Sequence, residues 1–365
     1  MPFAIEVNVP KFTMTMNASN AISFWQNRRV LVTGGAGFIG INASKRFILD
    51  GWDVTIVDNL SRMGGPDNLE WLKSCGDYHF KKMDIRDYQS IKGLFQQERF
   101  DVILHLAAQV AVTTSVSDPR TDFEINAFGT FNLLEASRQF NPGAFFIYSS
   151  TNKVYGGMKD IRIIERNSRY EYANLPNGVN ENTPIDLYSP YGCSKGAADQ
   201  YVIDYSRIYG IQTVVFRQSC IYGPRQFGVE DQGWVAWFII AAVLGKKITI
   251  YGDGKQIRDV LHVGDLIEAF MKAIEARETV SGKAFNIGGG PKNTLSLLEL
   301  LELLQDRLKR PVTFSFDGWR PGDQKVFVSE ITKAGEALQW TPSINAKNGV
   351  NNLIEWVQEN KALFS

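Results

Sequence analysis

The stretch RRVLVTGGAGFIG, residues 28–40, decides the expected fold of this chain. Its apolar residues 30–32 indicate a short buried strand, and the residues from about 38 to 50 indicate a helix. The turn between them carries a glycine at every third position, at Gly34, Gly37 and Gly40. Glycine there permits a tight turn and a close backbone approach to a pyrophosphate, which the N-terminus of the helix faces. The stretch therefore predicts a strand–turn–helix unit that binds a dinucleotide.

A second apolar strand, WDVTIVD at residues 52–58, ends in Asp58, eighteen residues after Gly40. A carboxylate at this strand end accepts hydrogen bonds from the adenosine ribose hydroxyls and repels a 2′-phosphate. The expected cofactor is therefore NAD and not NADP. Arg62 follows closely, and we expect it to be a surface charge because Asp58 is retained.

Strand-like and helix-like segments alternate up to about residue 218. Strands are expected at residues 78–84, 101–109, 144–150 and 213–219, and helices at 88–98, at about 123–140 and around Tyr191. Such alternation predicts an α/β fold, a doubly wound parallel sheet of the Rossmann type with helices on both faces. Ligands bind beyond the carboxyl ends of such strands. The residues expected to ring one cleft there are Asp58, Asp84, Ala107, Ala108, Gln109, Ser149, Ser150, Thr151, Arg217, Gln218, Ser219 and Cys220.

The regular alternation of strand-like and helix-like segments ends at about residue 218, which predicts a smaller, mixed C-terminal substrate lobe. We assign residues 28–217 to an NAD-binding domain, with 258–290 returning to it, and residues 218–257 and 291–365 to the substrate-binding lobe. Residues 1–27 lack the apolar core of a signal peptide and are assigned to an N-terminal extension, for which disorder is left open. The long polar segment 157–184 is typical of a binding loop or lid.

The composition is that of a cytoplasmic enzyme and excludes several other classes. Lys plus Arg and Asp plus Glu both number 39, so no net field attracts nucleic acid or an anionic membrane. Three cysteines without metal-ligand spacing and three histidines predict reduced thiols and no metal site. The apolar run from Trp234 to Leu244 is too short to cross a bilayer, so we expect a buried helix there.

Tyr191 and Lys195 lie four residues apart in SPYGCSKGAADQY, residues 189–201. On a helix this spacing places both side chains on one face. The lysine charge is then expected to favour the phenolate, as a proton shuttle to a sugar hydroxyl requires. The pair alone also fits a solvated helix face, and the glycine turn upstream favours the catalytic interpretation.

Several strings resemble the extended short-chain dehydrogenase/reductase family of nucleotide-sugar enzymes, from about residue 29 to the C-terminus. They are TGGAGFIG, DNLS, DIRD, HLAAQV, NAFGT, YSSTNKVYG, SPYGCSKGAADQY, RDVLHVGDL and NIGGG. Longer strings are similar to the CDP-paratose 2-epimerase (CDP-tyvelose epimerase) branch of that family, namely STNKVYG, SPYGCSKGAADQY, YGPRQF, DQGW and GKQIRDVLH.

The resemblance implies a role for each matching position. The catalytic set would be Thr151, Tyr191 and Lys195, with a strand-end hydroxyl that caps the next turn as the alternative for Thr151. The cofactor contacts would come from Gly34, Gly37, Phe38, Ile39, Gly40, Asp58, Asn59, Asp84, Ile85, Ala107, Ala108, Gln109, Asn126, Ser149, Tyr191 and Lys195. The substrate contacts would come from Thr151, Asn152, Arg225, Arg258 and Arg320. Guanidinium groups suit phosphate geometry, and structural ion pairs, above all between Arg258 and Asp259, are the alternative.

Departures from the family pattern narrow the expected reaction. Asn152 and Lys153 occupy the positions of an Asp-Glu pair in the sugar-nucleotide dehydratases of the family, so elimination of water is disfavoured. Cys220 replaces an Asn that contacts the substrate phosphate in relatives. The resemblance then implies NAD-dependent epimerisation of a nucleotide-linked deoxysugar at carbon 2 through a transient 2-keto intermediate.

The expected reaction is of the CDP-paratose to CDP-tyvelose type and takes place in the cytoplasm, where it supplies precursors for surface polysaccharide (lipopolysaccharide). Because the hydride returns to the same sugar, NAD is expected to stay tightly bound and not to be consumed. Two alternatives are a carbon-4 epimerase of UDP-hexoses on the same fold and a catalytically silent NAD-binding regulator.

Two predicted helices are apolar around much of their circumference, more than one sheet-facing stripe needs. The resemblance implies that they pack against symmetry mates as a four-helix bundle, so a homodimer or homotetramer is expected. Coverage of these side chains within the monomer is the alternative. The residues concerned are Ile125, Phe128, Leu133, Phe140, Tyr201, Val202, Tyr205 and Ile208.

Overall fold

The computed structural model describes residues 28–320 and 323–364, so the predicted N-terminal extension, 1–27, lies outside the described residues. The strands are β1 (Arg29–Thr33), β2 (Asp53–Asp58), β3 (His79–Lys82), β4 (Val102–His105), β5 (Phe145–Thr151), β6 (Ile163–Glu165), β7 (Tyr170–Tyr172), β8 (Thr213–Gln218), β9 (Cys220–Tyr222), β10 (Ile248–Tyr251), β11 (Ile257–His262), β12 (Lys283–Ile287), β13 (Thr294–Ser296), β14 (Phe314–Asp317) and β15 (Val326–Phe327).

The α-helices are α1 (Phe38–Leu49), α2 (Gly65–Lys73), α3 (Tyr88–Gln97), α4 (Val112–Ser117), α5 (Pro119–Phe123), α6 (Gly129–Phe140), α7 (Pro190–Tyr209), α8 (Trp234–Leu244), α9 (Val263–Glu275), α10 (Arg277–Val280), α11 (Leu297–Leu308), α12 (Thr332–Leu338) and α13 (Ala346–Glu359). The helix expected at about 123–140 is present, with a π-helical turn at Glu124–Phe128 that continues directly into α6.

A seven-stranded parallel sheet forms the centre of the molecule, in the order β3-β2-β1-β4-β5-β8-β12. Helices cover both of its faces. Val30 and Val32 pack with α1 and α9, whereas Leu31 packs with α3, α6 and α7 on the opposite face. The strands read as continuous apolar runs because both faces are buried. The predicted doubly wound α/β fold is confirmed.

The C-terminal part adds smaller mixed sheets and a second apolar core. β10 pairs with β14, and β11 pairs with β9, β13 and β15. Helix α8 is apolar on every side and packs in this core with α11 and α13, as expected for a buried helix. Strand β12 belongs to the seven-stranded sheet, whereas β11 pairs within the smaller sheets. The exact limits of the two domains stay a prediction.

Segment 157–184 contains a hairpin of β6 and β7 that is anchored on the C-terminal part. Arg169 forms an ion pair of 2.7 Å with Glu299 in α11. The Tyr172 hydroxyl donates a hydrogen bond of 2.9 Å to the carbonyl oxygen of Val326. These contacts attach the hairpin to the lobe that was predicted to bind substrate.

The described residues contain neither a membrane-spanning helix nor a cluster of metal-ligating side chains. Among residues 28–320 and 323–364, no helix combines the length and apolarity needed to cross a bilayer. Within the same ranges, no group of His, Cys, Asp and Glu side chains is arranged to hold a metal ion.

Candidate active site

A cavity of about 520 Å³ lies at the carboxyl ends of the central strands, between the sheet and the C-terminal part. Most of the predicted site residues line it, although they come from every part of the chain. They are Gly34, Gly37, Phe38, Ile39, Gly40, Asp58, Asn59, Asp84, Ile85, Ala107, Ala108, Ser149, Thr151, Asn152, Tyr191, Lys195, Arg225, Arg258 and Arg320.

The glycine turn leaves no room for side chains. Gly34 has φ +69°, and a Cβ there would lie 2.7 Å from the amide nitrogen of Ala107. A Cβ on Gly40 would lie 2.3 Å from the carbonyl oxygen of Gly34. Gly37 caps α1 without a side-chain hydrogen bond, so the first amides of the helix remain available to an anion. The turn therefore fits the diphosphate of a dinucleotide.

The Asp58 carboxylate also braces this turn. It accepts hydrogen bonds from the backbone amides of Ala36 (3.1 Å) and Leu60 (2.8 Å). Burial raises the pKa of Asp58, against the lowering by these amides and by the charge of Arg62. The carboxylate thus lines the cavity at the place expected for an adenosine ribose and fixes the turn at the same time.

Arg62 has a larger part in the site than the sequence suggested. Its side chain is exposed, as expected of a surface charge, but it also lines the cavity. The walls of the cleft desolvate the guanidinium and lower its pKa, while the charges of Asp58 and Tyr191 act in the opposite direction. The sequence pointed to Arg62 as a surface charge, and its place in the cavity lining was not predicted.

The predicted adenine end is built around Asp84. Arg86 donates to both carboxylate oxygens, at 3.0 and 2.8 Å, and holds the pKa of Asp84 well below its usual range. Asn59 donates a further hydrogen bond of 3.0 Å to Asp84. Ile85 is buried against Gly129 of α6, where a Cβ would lie 2.6 Å from it. This network shapes a rigid wall for a flat apolar ring.

Gln109 and Asn126 are not among the residues that line the cavity, which differs from their expected role as cofactor contacts. Asn126 accepts a hydrogen bond of 2.9 Å from the amide of Gln109 and donates to Asp122 and Ser194. The side-chain amide of Gln109 donates hydrogen bonds to the carbonyl oxygen of Ala111 and to the carboxylate of Asp122. Gln109 thus connects the end of β4 to α5, and Asn126 connects it to α7.

Helix α7 presents Tyr191 in its first turn, next to the end of β5. Ser189 caps the helix by accepting from the Gly192 amide at 3.2 Å, and Pro190 follows at the first helical position. Tyr191 is buried near Thr151, whose hydroxyl acts to lower the pKa of Tyr191. The Thr151 hydroxyl donates to the side-chain oxygen of Asn152 at 3.4 Å and accepts from the amide of Lys153 at 3.2 Å. The predicted hydroxyl pair is thus brought together.

The electrostatics of Tyr191 differ from the expectation. Burial raises the pKa of Tyr191 to about 12, and among the charges that act on it Arg62 lowers the pKa and Asp122 raises it. Lys195 instead donates to the carbonyl oxygen of Ser149 at 2.6 Å, and its Nζ lies 4.3 Å from the ring centre of Tyr148. Burial lowers the pKa of Lys195 to about 7. The lysine is therefore desolvated, and one of its N–H groups is directed at the backbone.

The three predicted substrate arginines have different surroundings. Arg225 is buried with its guanidinium 4.2 Å from the ring centre of Trp71 and 5.8 Å from that of Trp356. Arg320 lies 3.6 Å from the ring centre of Tyr251 and pairs with Asp231 at 2.8 Å.

Arg258 donates to the carbonyl oxygen of Ile257 at 2.7 Å. Its neighbour Asp259 is buried and accepts from Ser219 (2.5 Å) and from the amide of Gly290 (3.2 Å). Arg320 therefore forms the kind of structural ion pair that was the alternative to substrate binding, and its partner is Asp231. Arg258 contacts a carbonyl oxygen rather than the neighbouring carboxylate.

A family model described as GDP-mannose 4,6 dehydratase matches residues 31–353. The chain belongs to this family. The resemblance to extended short-chain dehydrogenase/reductases is thereby confirmed. The chain is also similar to the CDP-paratose 2-epimerase of Salmonella typhi, with 48% identity over 333 residues that cover 90% of this chain and 98% of the relative.

Solved structures resemble this member of the GDP-mannose 4,6 dehydratase family along most of its length. The UDP-glucose 4-epimerase of Thermotoga maritima with UDP-glucose has a TM-score of 0.79 and 31% identity, over 91% of this chain and 99% of its own. The UDP-glucuronic acid 4-epimerase of Bacillus cereus, in complex with UDP-glucuronic acid and NAD, has a TM-score of 0.77 and 28% identity with the same coverage.

Proposed function

We propose that this chain epimerises a nucleotide-linked deoxysugar at carbon 2, converting a CDP-paratose type of substrate to the CDP-tyvelose type. The observation that carries the proposal is the 48% identity to a CDP-paratose 2-epimerase over 90% of this chain. The meeting of Thr151 and Tyr191 in the cavity supports it. Lipopolysaccharide precursor synthesis in the cytoplasm is the setting that we infer from this reaction.

We infer that the cofactor is NAD, held through turnover. The glycine turn would hold its diphosphate, and Asp58 would accept from its adenosine ribose hydroxyls. When bound, NAD supplies the acceptance and return of a hydride at carbon 2. The Bacillus cereus relative, which was solved with NAD, supports this assignment.

The residues of the chain move the proton and hold the sugar. As phenolate, Tyr191 takes the proton of the 2-hydroxyl when carbon 2 is oxidised and returns it to the 2-keto oxygen when carbon 2 is reduced. Thr151 would hydrogen-bond the same oxygen. Because burial raises the pKa of Tyr191 to about 12, the phenolate is scarce at neutral pH, and nearby cations govern how much of it forms. The proton and the hydride both return, so no net oxidation occurs.

The test is product formation from CDP-paratose without added NAD, followed by NMR. We expect CDP-tyvelose, with a deuterium at carbon 2 of the substrate retained in the product. Washout of that deuterium into solvent would show proton abstraction from carbon and overturn the keto mechanism. The Tyr191→Phe protein is the matched negative control.

The alternative is a carbon-4 epimerase of UDP-hexoses. It is favoured by the fold similarity to the Thermotoga maritima UDP-glucose 4-epimerase. Profiling with UDP-glucose and CDP-hexoses separates the two, because turnover of UDP-glucose alone would support carbon 4.

We further propose that the chain is a homodimer or homotetramer through α6 and α7. Of the side chains predicted for this surface, Leu133, Val202 and Tyr205 are buried within the monomer. Phe128, Tyr201 and Ile208 are exposed, by 45%, 50% and 62%. These exposed apolar side chains support the proposed contact. A monomer mass by light scattering at micromolar concentration would refute it.

A further inference from the structure

A buried ion pair lies behind the cavity wall, between the helix that carries Tyr191 and the central sheet. Asp199 in α7 and Arg217 in β8 are both buried, and neither lines the cavity, although Arg217 was expected at the cleft from the sequence. The guanidinium donates to both carboxylate oxygens, at 3.0 and 2.9 Å. Replacing such a buried pair by apolar side chains of similar volume is often neutral for stability. The pair is therefore a candidate for a role beyond stability.

The pair holds the end of β5, where Thr151 lies. The hydroxyl of Ser150, which immediately precedes Thr151, donates to the Asp199 carboxylate at 2.7 Å. Ser150 lies directly opposite Arg217 in the sheet, so the side chains of two neighbouring strands meet one carboxylate of α7. A hydrogen bond to an ionised acceptor is stronger than one between neutral groups. The end of β5 is thus fixed to α7 by a strong hydrogen bond.

The same carboxylate shares the helix face of the predicted catalytic side chains. Asp199 follows Lys195 by four residues in α7, and Lys195 follows Tyr191 by the same spacing. Lys195 donates to the carbonyl oxygen of Ser149 at 2.6 Å, one residue before Ser150. Burial lowers the pKa of Lys195 to about 7, and the negative charge of Asp199 acts against this lowering. Helix α7 is therefore attached to β5 at two successive residues.

Arg217 extends the attachment to the turn that follows Thr151. It donates to the Tyr155 hydroxyl at 3.2 Å, and Tyr155 is the last residue of the 3₁₀ turn Asn152–Tyr155. The Tyr155 hydroxyl donates in turn to the side-chain oxygen of Asn286 in β12 at 2.7 Å. One buried cluster thus fixes the residues on both sides of Thr151.

We propose that Asp199, together with Arg217, is a positioning residue that holds Tyr191 and Thr151 at one substrate oxygen. This inference rests on the proposed function, in which both hydroxyls contact the oxygen on carbon 2. Since neither Asp199 nor Arg217 lines the cavity, the pair acts through the elements that it joins. A small displacement of a reacting group slows the chemical step more than it weakens binding of the substrate. The effect of the pair is therefore expected in kcat and not in KM.

The first test is Ser150→Ala in the full-length protein, which removes the hydrogen bond from β5 to Asp199 and leaves the ion pair intact. We expect kcat to fall by about 10-fold and KM to change by less than about 3-fold, because the end of β5 is released while the substrate contacts remain. Steady-state kinetics measures both quantities. Ser137→Ala is the matched control, since this buried hydroxyl in α6 donates to the Asn141 carbonyl, away from the cavity, and its kcat should equal that of the wild type.

The second test separates positioning from stability by removing both charges together. Asp199→Asn alone would leave a buried, unpaired guanidinium, which is strongly destabilising. The double variant Asp199→Leu with Arg217→Met replaces the pair by apolar side chains, so its unfolding temperature by calorimetry should stay near that of the wild type. We nevertheless expect its kcat to fall by about 100-fold, with KM within about 3-fold of the wild type, because α7 and β5 are no longer joined through Asp199.

Wild-type kcat in Ser150→Ala, or in the folded double variant, would overturn the inference. A loss of kcat/KM that lies wholly in KM would overturn it as well. If the double variant does not fold, Ser150→Ala decides. Conversion of CDP-paratose by the wild type tests the proposed function separately. If the wild type converts UDP-glucose alone, the assignment of carbon 2 fails, and the same variants test the positioning role on that substrate.

Discussion

The cavity has two halves that are built in different ways. Most of the proposed cofactor half, namely Gly34, Gly37, Gly40, Asp58, Asn59, Asp84 and Ile85, comes from about fifty consecutive residues, and Ala107, Ala108 and Ser149 follow from later strand ends. The substrate half is formed by Lys153, Cys220, Arg225, Arg258 and Arg320, which come from loops and strands far apart in the chain. The cofactor half depends on backbone shape, whereas the substrate half depends on the placement of cations.

The difference shows in how each half satisfies its polar groups. In the cofactor half, carboxylates are fixed by the chain itself, as Asp58 is by two backbone amides and Asp84 by Arg86. In the substrate half, cationic side chains are held by single partners, as Arg258 is by the Ile257 carbonyl and Arg320 by Asp231. A cradle of backbone and a wall with cationic side chains therefore belong to one cavity, and Tyr191 lies where they meet.

The largest expected effect is at that meeting point. Tyr191→Phe removes the proton carrier and should lower turnover by at least about 100-fold, within the usual range for general acid–base catalysis. NAD content, measured by acid release and chromatography, should stay the same because the ring is retained. Tyr188→Phe, an exposed tyrosine three residues earlier, is the control. Near wild-type turnover in Tyr191→Phe would remove Tyr191 from the mechanism.

The next effect compares two arginines of the substrate half. Arg258→Gln should raise KM for the nucleotide sugar by about 10-fold to 100-fold, the loss expected for hydrogen bonds to a charged group. Arg320→Gln should raise KM by less than about 5-fold, because its guanidinium is already paired with Asp231. Steady-state kinetics measures KM for both variants. Equal increases in KM would mean that the Arg320 ion pair opens when substrate binds.

A smaller effect tests cofactor choice in the other half. Asp58→Asn removes the negative charge and keeps an acceptor for the turn amides, so the affinity for NADP relative to NAD should rise by about 10-fold. Fluorescence titration of the two reduced cofactors measures the ratio. Asp53→Asn, at the opposite end of the same strand, should leave it unchanged. An unaltered ratio in Asp58→Asn would contradict the role of the charge.

The smallest expected effect links the halves through Arg62. Its positive charge lowers the pKa of Tyr191, so Arg62→Gln should raise that pKa and shift the rising limb of the pH–rate profile to higher pH by less than about 1 unit. Arg46→Gln, on the outer side of α1, is the matched control because its guanidinium pairs with Asp50 and Glu268. A shift to lower pH would contradict the inferred direction.

Local patterns were sufficient for the cofactor half. The glycine spacing, the apolar strands and the helix of Tyr191 each depend on residues close in sequence, and the structure has these elements within a few residues of the predicted bounds. The π-helical turn before Gly129 was not predicted, because it depends on the backbone hydrogen-bonding pattern, which the apolar pattern does not report. The cofactor contacts of Gln109 and Asn126 stay a prediction, although neither residue lines the cavity.

The sequence by itself determined the α/β fold, the glycine cradle, the carboxylate at Asp58 and the shared helix face of Tyr191 and Lys195, because backbone geometry and helix periodicity are local properties. Thr151 became a candidate through the family resemblance alone. Only the tertiary structure decided that Lys195 faces the Ser149 carbonyl, that Arg225 lies over the ring of Trp71 and that Arg320 pairs with Asp231. Those outcomes depend on desolvation and on charges brought together from distant segments, which spacing along the chain does not encode.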